Sequence, residues 1–294
     1  MTINEFNLSG RVRFTDGQGG LPRINVETEW CSAEIHLHGA HVTQFQKKNE
    51  APLLFLSQAS HFEAGKPIRG GIPVIFPWFG PKPGQPTHGY ARLKDWSLKE
   101  IIHSKDGAVS LRFQLPESSE SIDYAAASVD YLVTVKDTLS LELIITNKSA
   151  TRELNFEDCL HTYFNIGKID AVSISGLKGV DYLDKTENFA LKHESSDAIT
   201  INSEVDRVYM DTTSAIEIRD TNLRRKIIIK KEGSASTVVW NPWIAKAKEM
   251  ADFGDEEYQR MVCVESGNVG KNKISLAPGE SAALKTIIST VPLK

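Results

Sequence analysis

The sequence of 294 residues has little cysteine and no long apolar run. Its three cysteines, Cys31, Cys159 and Cys263, are an odd number at irregular intervals, which indicates neither a disulfide framework nor a CxxC metal site. No stretch approaches the roughly 18 consecutive apolar residues of a membrane span, and the start, MTINEFNLSGRVRF, lacks the apolar core of a signal peptide. We therefore expect a cytoplasmic protein with reduced thiols and no membrane partner.

An excess of charge is also missing. Lys and Arg number 34 against 38 Asp and Glu, a formal net charge of −4, so the sequence carries no electrostatic sign of nucleic-acid binding. GxGxxG and GxxxxGKS motifs are absent, which disfavours a nucleotide cofactor. An anionic substrate would need a local group of basic side chains.

The sequence does contain many segments in which apolar and polar residues alternate. In segments 109–115, 129–135 and 139–145 every second residue is apolar, so the apolar side chains share one face of a strand. Residues 136–138 are typical of the turn of an antiparallel hairpin. Further short apolar runs predict strands at 33–38, 53–56, 215–219, 226–230, 236–240, 261–265 and 283–289. The chain has no linker-like segment, so we expect one all-β domain over residues 1–294, built from two large packed antiparallel sheets.

A single helix is predicted near the C-terminal third. Asn241 can cap it, Pro242 suits its first position, and Gly254 lies beyond its end. Because it is short, we expect it to lie on the sheets rather than to organise the fold.

Segment 67–81 is too rich in Gly and Pro for a central strand, since proline cannot donate to a strand ladder. It predicts an irregular wall in which Trp78 and Phe79 could stack on a sugar ring and Arg69 is the one charge. The alternative is a buried edge with Arg69 in a structural ion pair.

Segment 85–92 supplies three polar candidates, Gln85, His88 and Arg92. Arg69 and Arg92 each offer a rigid fork of donors that suits a phosphate group. The alternatives are a solvated pair of surface arginines and an ordinary loop histidine.

Two further segments carry acid–base candidates. In 157–166, alternation places Cys159, His161, Tyr163 and Asn165 on one face of a strand, and a histidine can give or take a proton near neutrality. In 261–269, Glu265 shares a face with apolar neighbours, where a carboxylate is costly unless it is paired. Either residue could instead be structural, as a satisfied histidine or a buried salt bridge.

One histidine cluster could bind a metal. His36, His38 and His41 lie close in the sequence, and imidazoles are ligands for zinc. No cysteine or acidic residue at ligand spacing completes the set, so we do not predict a metal site.

Several long motifs together resemble one family, the hexose-6-phosphate mutarotases, or glucose-6-phosphate 1-epimerases, a branch of the aldose 1-epimerase superfamily. The matching segments are RGGIPVIFPWFG, HGYAR, CLHTYF, DRVY at 206–209, WNPWIAKAKEMADFGDEEY and MVCVESG. They run in order through most of the chain. The resemblance implies an all-β fold, a β-supersandwich like that of galactose mutarotase, with few short helices.

The resemblance also implies roles for individual residues. His161 is similar to the catalytic acid of the family and Glu265 to its catalytic base. The residues similar to substrate-binding positions are Arg69, Gln85, His88, Arg92 and Asp206. No cofactor or metal is implied, and the expected partner is a phosphorylated hexose bound by a monomer. The segment between Gly80 and His88 is short, which bears on the reach of Gln85.

The chemistry implied is ring opening to the aldehyde, rotation about C1–C2 and closure on the other face of the carbonyl. A base takes the proton of the C1 hydroxyl while an acid protonates the ring oxygen. Three alternatives stay open: the same reaction on unphosphorylated aldoses, a non-catalytic carbohydrate-binding or regulatory module, and a purely structural β-protein. The sequence does not choose among hexose 6-phosphates.

Overall fold

The fold is built almost entirely of strands. A computed structural model describes residues 11–117 and 123–293. In these ranges the strands are β1 (Val12–Asp16), β2 (Pro22–Glu27), β3 (Cys31–His36), β4 (His41–Lys47), β5 (Val74–Ile75), β6 (Ser97–His103), β7 (Val109–Gln114), β8 (Ala127–Val135), β9 (Leu139–Asn147), β10 (Leu154–Phe156), β11 (Asp158–Leu160), β12 (Tyr163–Asn165), β13 (Val172–Ser175), β14 (Asp181–Asp184), β15 (Ala190–His193), β16 (Ala198–Ile199), β17 (Val205–Met210), β18 (Ile216–Asp220), β19 (Arg225–Glu232), β20 (Ser236–Asn241), β21 (Met261–Asn268), β22 (Ile274–Leu276) and β23 (Ser281–Pro292).

The strands form three larger antiparallel sheets and one two-stranded pair. A four-stranded meander has the order β1-β2-β3-β4, and a nine-stranded sheet the order β16-β13-β18-β19-β23-β9-β8-β7-β6. An eight-stranded sheet has the order β15-β14-β17-β20-β21-β11-β5, with β12 also paired to β21. The predicted all-β supersandwich and the hairpin through 136–138 are confirmed, because β8 and β9 pair from Ala127–Asn147 to Val135–Leu139.

One predicted strand, 53–56, is wrong. Leu54 and Leu56 form only isolated bridges, with Phe164 and Gly70. The amide of Leu53 donates to the carbonyl of Phe45, whereas that of Phe55 donates to Tyr163, so successive residues bond to different elements and no continuous ladder forms.

The predicted helix is present as α1 (Trp243–Glu249), with further 3-10 turns elsewhere. The side chain of Asn241 accepts a hydrogen bond from the Trp243 amide at 2.9 Å and donates to the carbonyls of Tyr258 and Met261. Pro242 precedes the first helical residue rather than occupying that position. Among the described residues, none of the helices has the length and apolar character needed to cross a membrane.

A hydrophobic core joins the three larger sheets. It contains Ile35 of β3, Leu143 of β9 and Val264 of β21, all nearly fully buried. Along β21, Val262 and Val264 enter this core, whereas Met261 and Cys263 pack in a separate cluster on the other face. The eight-stranded sheet therefore has one face against the core and one available for a site. The prediction of one domain over 1–294 includes residues 1–10, 118–122 and 294, which lie outside the described ranges, and stays a prediction.

Segment 67–81 contributes only the two-residue edge strand β5 and otherwise forms an irregular wall, as predicted. Gly71 has a φ of +60°, and a Cβ atom there would lie 2.4 Å from the carbonyl oxygen of Val42. Only glycine allows this close approach without strain. The approach fixes the backbone just after Arg69.

Candidate active site

Strand register assembles the site on the free face of the eight-stranded sheet. Asp206 of β17 lies opposite Trp240 of β20, Trp240 opposite Cys263 of β21, and Cys263 opposite Tyr163 of β12. Directly opposed residues share a face of the sheet. Glu265 belongs to the adjacent row on the same face, opposite Val238.

His161 reaches this face from a break in the sheet. It lies between β11 and β12, and its amide donates to the Pro73 carbonyl at 3.0 Å. The break replaces the single continuous strand that alternation predicted for 157–166.

These side chains surround a cavity of about 320 Å³, within the size range of small-molecule sites. The cavity is lined by Arg69, Phe79, Thr87, His88, Arg92, His161, Tyr163, Lys185, Asp206, Val238, Trp240, Lys246, Met250 and Glu265. Six of the seven site residues predicted from the sequence therefore meet in one cavity; Gln85 does not line it.

His161 and Glu265 are in direct contact at the buried end of the cavity. Nε2 of His161 lies 3.3 Å from Oε1 of Glu265, and the two residues are 7% and 1% exposed. The thiol of Cys159 donates to the other carboxyl oxygen of Glu265 at 3.4 Å. Nδ1 of His161 has no hydrogen-bond partner.

The surroundings shift both groups toward their uncharged forms. Burial lowers the pKa of His161 well below 6.5, and repulsion from His88, Arg92 and Arg69 lowers it further. Burial raises the pKa of Glu265 well above 4.5, with a smaller contribution from the nearby carboxylate of Asp206. Because the groups touch, their protons belong to the pair rather than to either residue.

Aromatic rings enclose the imidazole of His161. The ring of Tyr163 stacks on it at 4.8 Å and 13°, His88 meets it edge-on at 5.6 Å, and Trp240 lies 6.2 Å away at 75°. Tyr163 was on the predicted site face; Trp240 was not singled out from the sequence, although it lies within a motif that carries the family resemblance.

The two arginines differ in their partners. Arg69 forms an ion pair with Asp252 at 3.1 Å and donates to the Tyr163 hydroxyl at 2.9 Å. Arg92 is 8% exposed, donates to the Thr87 carbonyl at 2.8 Å, and leaves Nε without a partner. Burial lowers the pKa of Arg92 to about 10, so it stays cationic at neutral pH. The alternative of an ion-paired Arg69 is thus confirmed, while Arg92 is a buried cation available to a ligand.

Sequence reasoning missed Lys185. Its Nζ lies 2.8 Å from Asp206, a predicted site residue, and 5.5 Å above the ring of Phe79, which was considered only for stacking. Lys185 lies outside every segment that pointed to the site, and only the pairing of β14 with β17 brings it there. Lys246 and Met250, at α1, complete this wall.

Gln85 and Trp78 lie elsewhere. Gln85 is exposed, and its amide donates to the Lys82 carbonyl in a tight turn. Trp78 is 7% exposed, donates from its indole to the Pro86 carbonyl and packs against Tyr90, so it supports the wall from behind. Phe79 is the one of the two aromatics in 67–81 considered for stacking that faces the cavity.

The three histidines near β3 and β4 turn to different partners. His38 bonds to Asp95 and the Lys66 carbonyl, His41 to the Gly70 carbonyl, and His36 to Thr43. They do not converge on a common point.

One other group could hold a metal within the described ranges. His161, Cys263 and Glu265 each place a ligand atom within 4.8 Å of the others. An ion there would occupy the same nitrogen and carboxyl oxygen that proton transfer requires. A metal ion and a proton shared by His161 and Glu265 would therefore exclude each other.

Comparison with known proteins shows the family to which the chain belongs. A sequence model of the family described as aldose 1-epimerase matches residues 22–289, so the chain belongs to that family. It is 37% identical over 273 residues to a protein of Cenchrus ciliaris named "Putative glucose-6-phosphate 1-epimerase", covering 89% of this chain and 82% of the other. An Escherichia coli K12 protein with the same name is 35% identical, covering 84% and 83%.

Solved structures agree with the fold. A Salmonella typhimurium protein described as a "putative mutarotase" superposes with a TM-score of 0.88 at 29% identity, covering 97% of this chain and 95% of the other. The resemblance drawn from the sequence motifs is confirmed at the level of family and fold.

Proposed function

We propose that this protein interconverts the α and β anomers of a hexose 6-phosphate, with glucose 6-phosphate as the first candidate. The observation that carries the proposal is the 3.3 Å contact between His161 Nε2 and Glu265 Oε1 in a cavity of monosaccharide size. The names of the similar proteins support the choice of a phosphorylated glucose.

The reaction needs one acid and one base at the two oxygens bound to C1. Glu265 as carboxylate takes the proton of the C1 hydroxyl while protonated His161 gives one to the ring oxygen, and the roles reverse on closure. A neutral imidazole beside a protonated carboxyl carries the same number of protons as an imidazolium beside a carboxylate. Transfer of that proton across the contact converts one form into the other, so the shifted pKa directions are compatible with the mechanism.

Basic side chains support an anionic substrate. The lining contains four basic side chains, Arg69, Arg92, Lys185 and Lys246, against two carboxylates, although the whole chain has a formal charge of −4. Arg92 is the strongest candidate for the phosphate because a buried cation without an acidic partner gains most from an anion. Arg69 also lines the cavity, but each of its guanidinium nitrogens already contacts Asp252 or Tyr163.

Other lining residues would recognise the sugar. Asp206 and His88 would bond to hydroxyl groups, and the rings of Phe79 and Trp240 would contact its apolar face. A contact from Gln85 would require its exposed turn to move toward the cavity. Since one chain supplies both proton carriers and the basic groups, we propose that it acts as a monomer, and its metabolic chemistry supports a cytoplasmic location.

The test is anomer exchange of glucose 6-phosphate measured by NMR exchange spectroscopy with and without enzyme. His161→Asn and Glu265→Gln should each lower the catalysed rate by about 10²–10⁴-fold, because each removes one proton carrier. His103→Asn and Glu142→Gln, on the nine-stranded sheet, are the matched controls and should retain the wild-type rate.

Two results would contradict the proposal. Near wild-type exchange in both site variants would refute the assignment of acid and base. Equal turnover of glucose and glucose 6-phosphate by the wild-type protein would instead favour the aldose reaction.

A further inference from the structure

The orientation of the His161 ring is not set by a hydrogen bond from its second nitrogen to another residue. A histidine that moves protons usually fixes its ring by a bond from the other nitrogen to a carboxylate or carbonyl. Here Nδ1 is buried without a partner while Nε2 faces Glu265. Something else must hold the ring, because Nε2 must meet both the carboxyl group and a substrate oxygen.

The contact that remains is the stacked ring of Tyr163. The two rings are nearly parallel, at 13°, with centroids 4.8 Å apart. His88 and Trp240 meet the imidazole edge-on or nearly so, at 88° and 75°. A parallel neighbour opposes rotation of the imidazole out of its plane, and the edge-on neighbours limit its sliding.

Tyr163 is itself fixed by a tether of polar contacts. Its ring is 1% exposed, and its hydroxyl accepts a hydrogen bond from Nη1 of Arg69 at 2.9 Å. Arg69 is anchored by Nε and Nη2 to one carboxyl oxygen of Asp252, at 3.2 and 3.1 Å. The tether thus runs from Asp252 after α1, through Arg69 in segment 67–81, to the ring beneath His161.

We propose that Tyr163 is a positioning residue for His161, and that the ion pair of Asp252 with Arg69 holds Tyr163 in place. The part of this proposal that is tested by enzyme activity rests on the proposed function. The two arginines then have separate roles: Arg69 acts mainly through Tyr163 on the C1 end of the substrate, whereas Arg92 is free to bind the phosphate.

The experiment is a double-mutant cycle with Tyr163→Phe, Asp252→Asn and the double variant. Tyr163→Phe keeps the ring and removes only the tethered hydroxyl. Each single variant should lower kcat by about tenfold or more with KM changed by less than about threefold, because small displacements of a catalytic group are costly. The double variant should be no slower than the worse single variant, since both break one tether.

Tyr209→Phe is the matched control. Tyr209 lies on the same sheet, is buried, and its hydroxyl also contacts a basic and an acidic side chain, Arg207 and Glu194. It does not line the cavity. Its variant should lose comparable stability in thermal unfolding and keep the wild-type kcat, which separates positioning from a general loss of stability.

Two further measurements complete the test: activity on two substrates, and the NMR signals of His161. The loss should be equal for glucose and glucose 6-phosphate, because His161 acts at C1 in both. In ligand-free protein, the ring NMR signals of His161 should shift or broaden in both single variants and stay unchanged in Tyr209→Phe.

The two proposals fail in different ways. An inactive wild-type protein whose His161 signals respond as expected would refute the function and retain the positioning. An active wild-type protein would refute the positioning if kcat stayed within twofold in Tyr163→Phe, or if the losses of the two single variants multiplied in the double variant.

Discussion

Replacing Arg92 with methionine should separate recognition of the phosphate from the chemistry at C1. Arg92 is 8% exposed, its guanidinium donates a hydrogen bond to the Thr87 carbonyl, and its Nε has no partner. No carboxylate of the described residues forms an ion pair with it. Methionine keeps most of the apolar length and removes the charge.

The magnitude follows from hydrogen bonds that only a phosphorylated substrate makes. A fork of two charge-assisted bonds at about 1.5–3 kcal/mol each gives about 3–6 kcal/mol, or about 10²–10⁴-fold in kcat/KM. Burial limits screening by water and salt, so the loss should persist at high ionic strength. Turnover of unphosphorylated glucose should change by less than about threefold, because its C6 hydroxyl offers no anion.

The substrate-free protein should respond in the opposite direction. A buried cation without an acidic partner costs free energy, and replacing buried charge by an apolar side chain is often neutral or stabilising by about 1–4 kcal/mol. Urea unfolding of Arg92→Met should therefore show equal or greater stability than the wild type. Inorganic phosphate should stabilise the wild-type protein and not the variant.

The control is Arg207→Met on β17 of the eight-stranded sheet. Arg207 is paired with Glu194 and does not line the cavity, so its variant should lose stability and keep the preference for glucose 6-phosphate. Equal losses on both sugars in Arg92→Met would refute the assignment of this arginine to the phosphate. Strong destabilisation of the substrate-free variant would show that Arg92 is a structural cation.

Two pH predictions follow from buried groups. The pKa of His161 is lowered and that of Glu265 is raised, so kcat/KM measured on glucose should stay level through pH 6.5. It should fall on the acid side only well below pH 6.5, and on the basic side as the pair loses its shared proton. A single inflection near pH 6.5 would contradict this prediction. Burial lowers the pKa of His41 to about 3, so as the pH falls below about 6.5 a proton binds to this imidazole only in the unfolded chain. His41 should therefore make the free energy of unfolding, measured with urea, fall by about 1.4 kcal/mol per pH unit. His41→Gln should flatten that slope and the exposed control His61→Gln should not; an unchanged slope in His41→Gln would contradict the assignment.

Sequence patterns predicted those parts of the site that are local to a strand. The alternation in 261–269 separated Val262 and Val264 from Cys263 and Glu265, and the structure places these two sets on opposite faces of β21. The period of two is dictated by strand geometry, so it needs no tertiary information. The strand predicted at 53–56 is wrong because hydrophobicity alone does not specify a pairing partner, and its residues bond to different elements.

Partners across the fold could not be predicted in this way. Nothing in segment 67–81 indicates that Arg69 would pair with Asp252, 183 positions away, or that Arg92 would have no acidic partner. Lys185 reaches Asp206 through the pairing of β14 with β17, which depends on sheet order rather than on residue type. The motifs identified the family, but which charge remains free for a ligand depends on contacts distant in sequence.

The contact between His161 and Glu265 bears on the choice between an enzyme and a carbohydrate-binding module. Both groups are almost fully buried, they contact each other at 3.3 Å, and Nδ1 of His161 is unpartnered. Such groups cost stability that apolar side chains of similar size would not. A binding module gains nothing from a proton that can move between two groups. A reaction that adds a proton at one oxygen of C1 and removes one from the other requires that pair, which is why we assign catalysis rather than binding to this cavity.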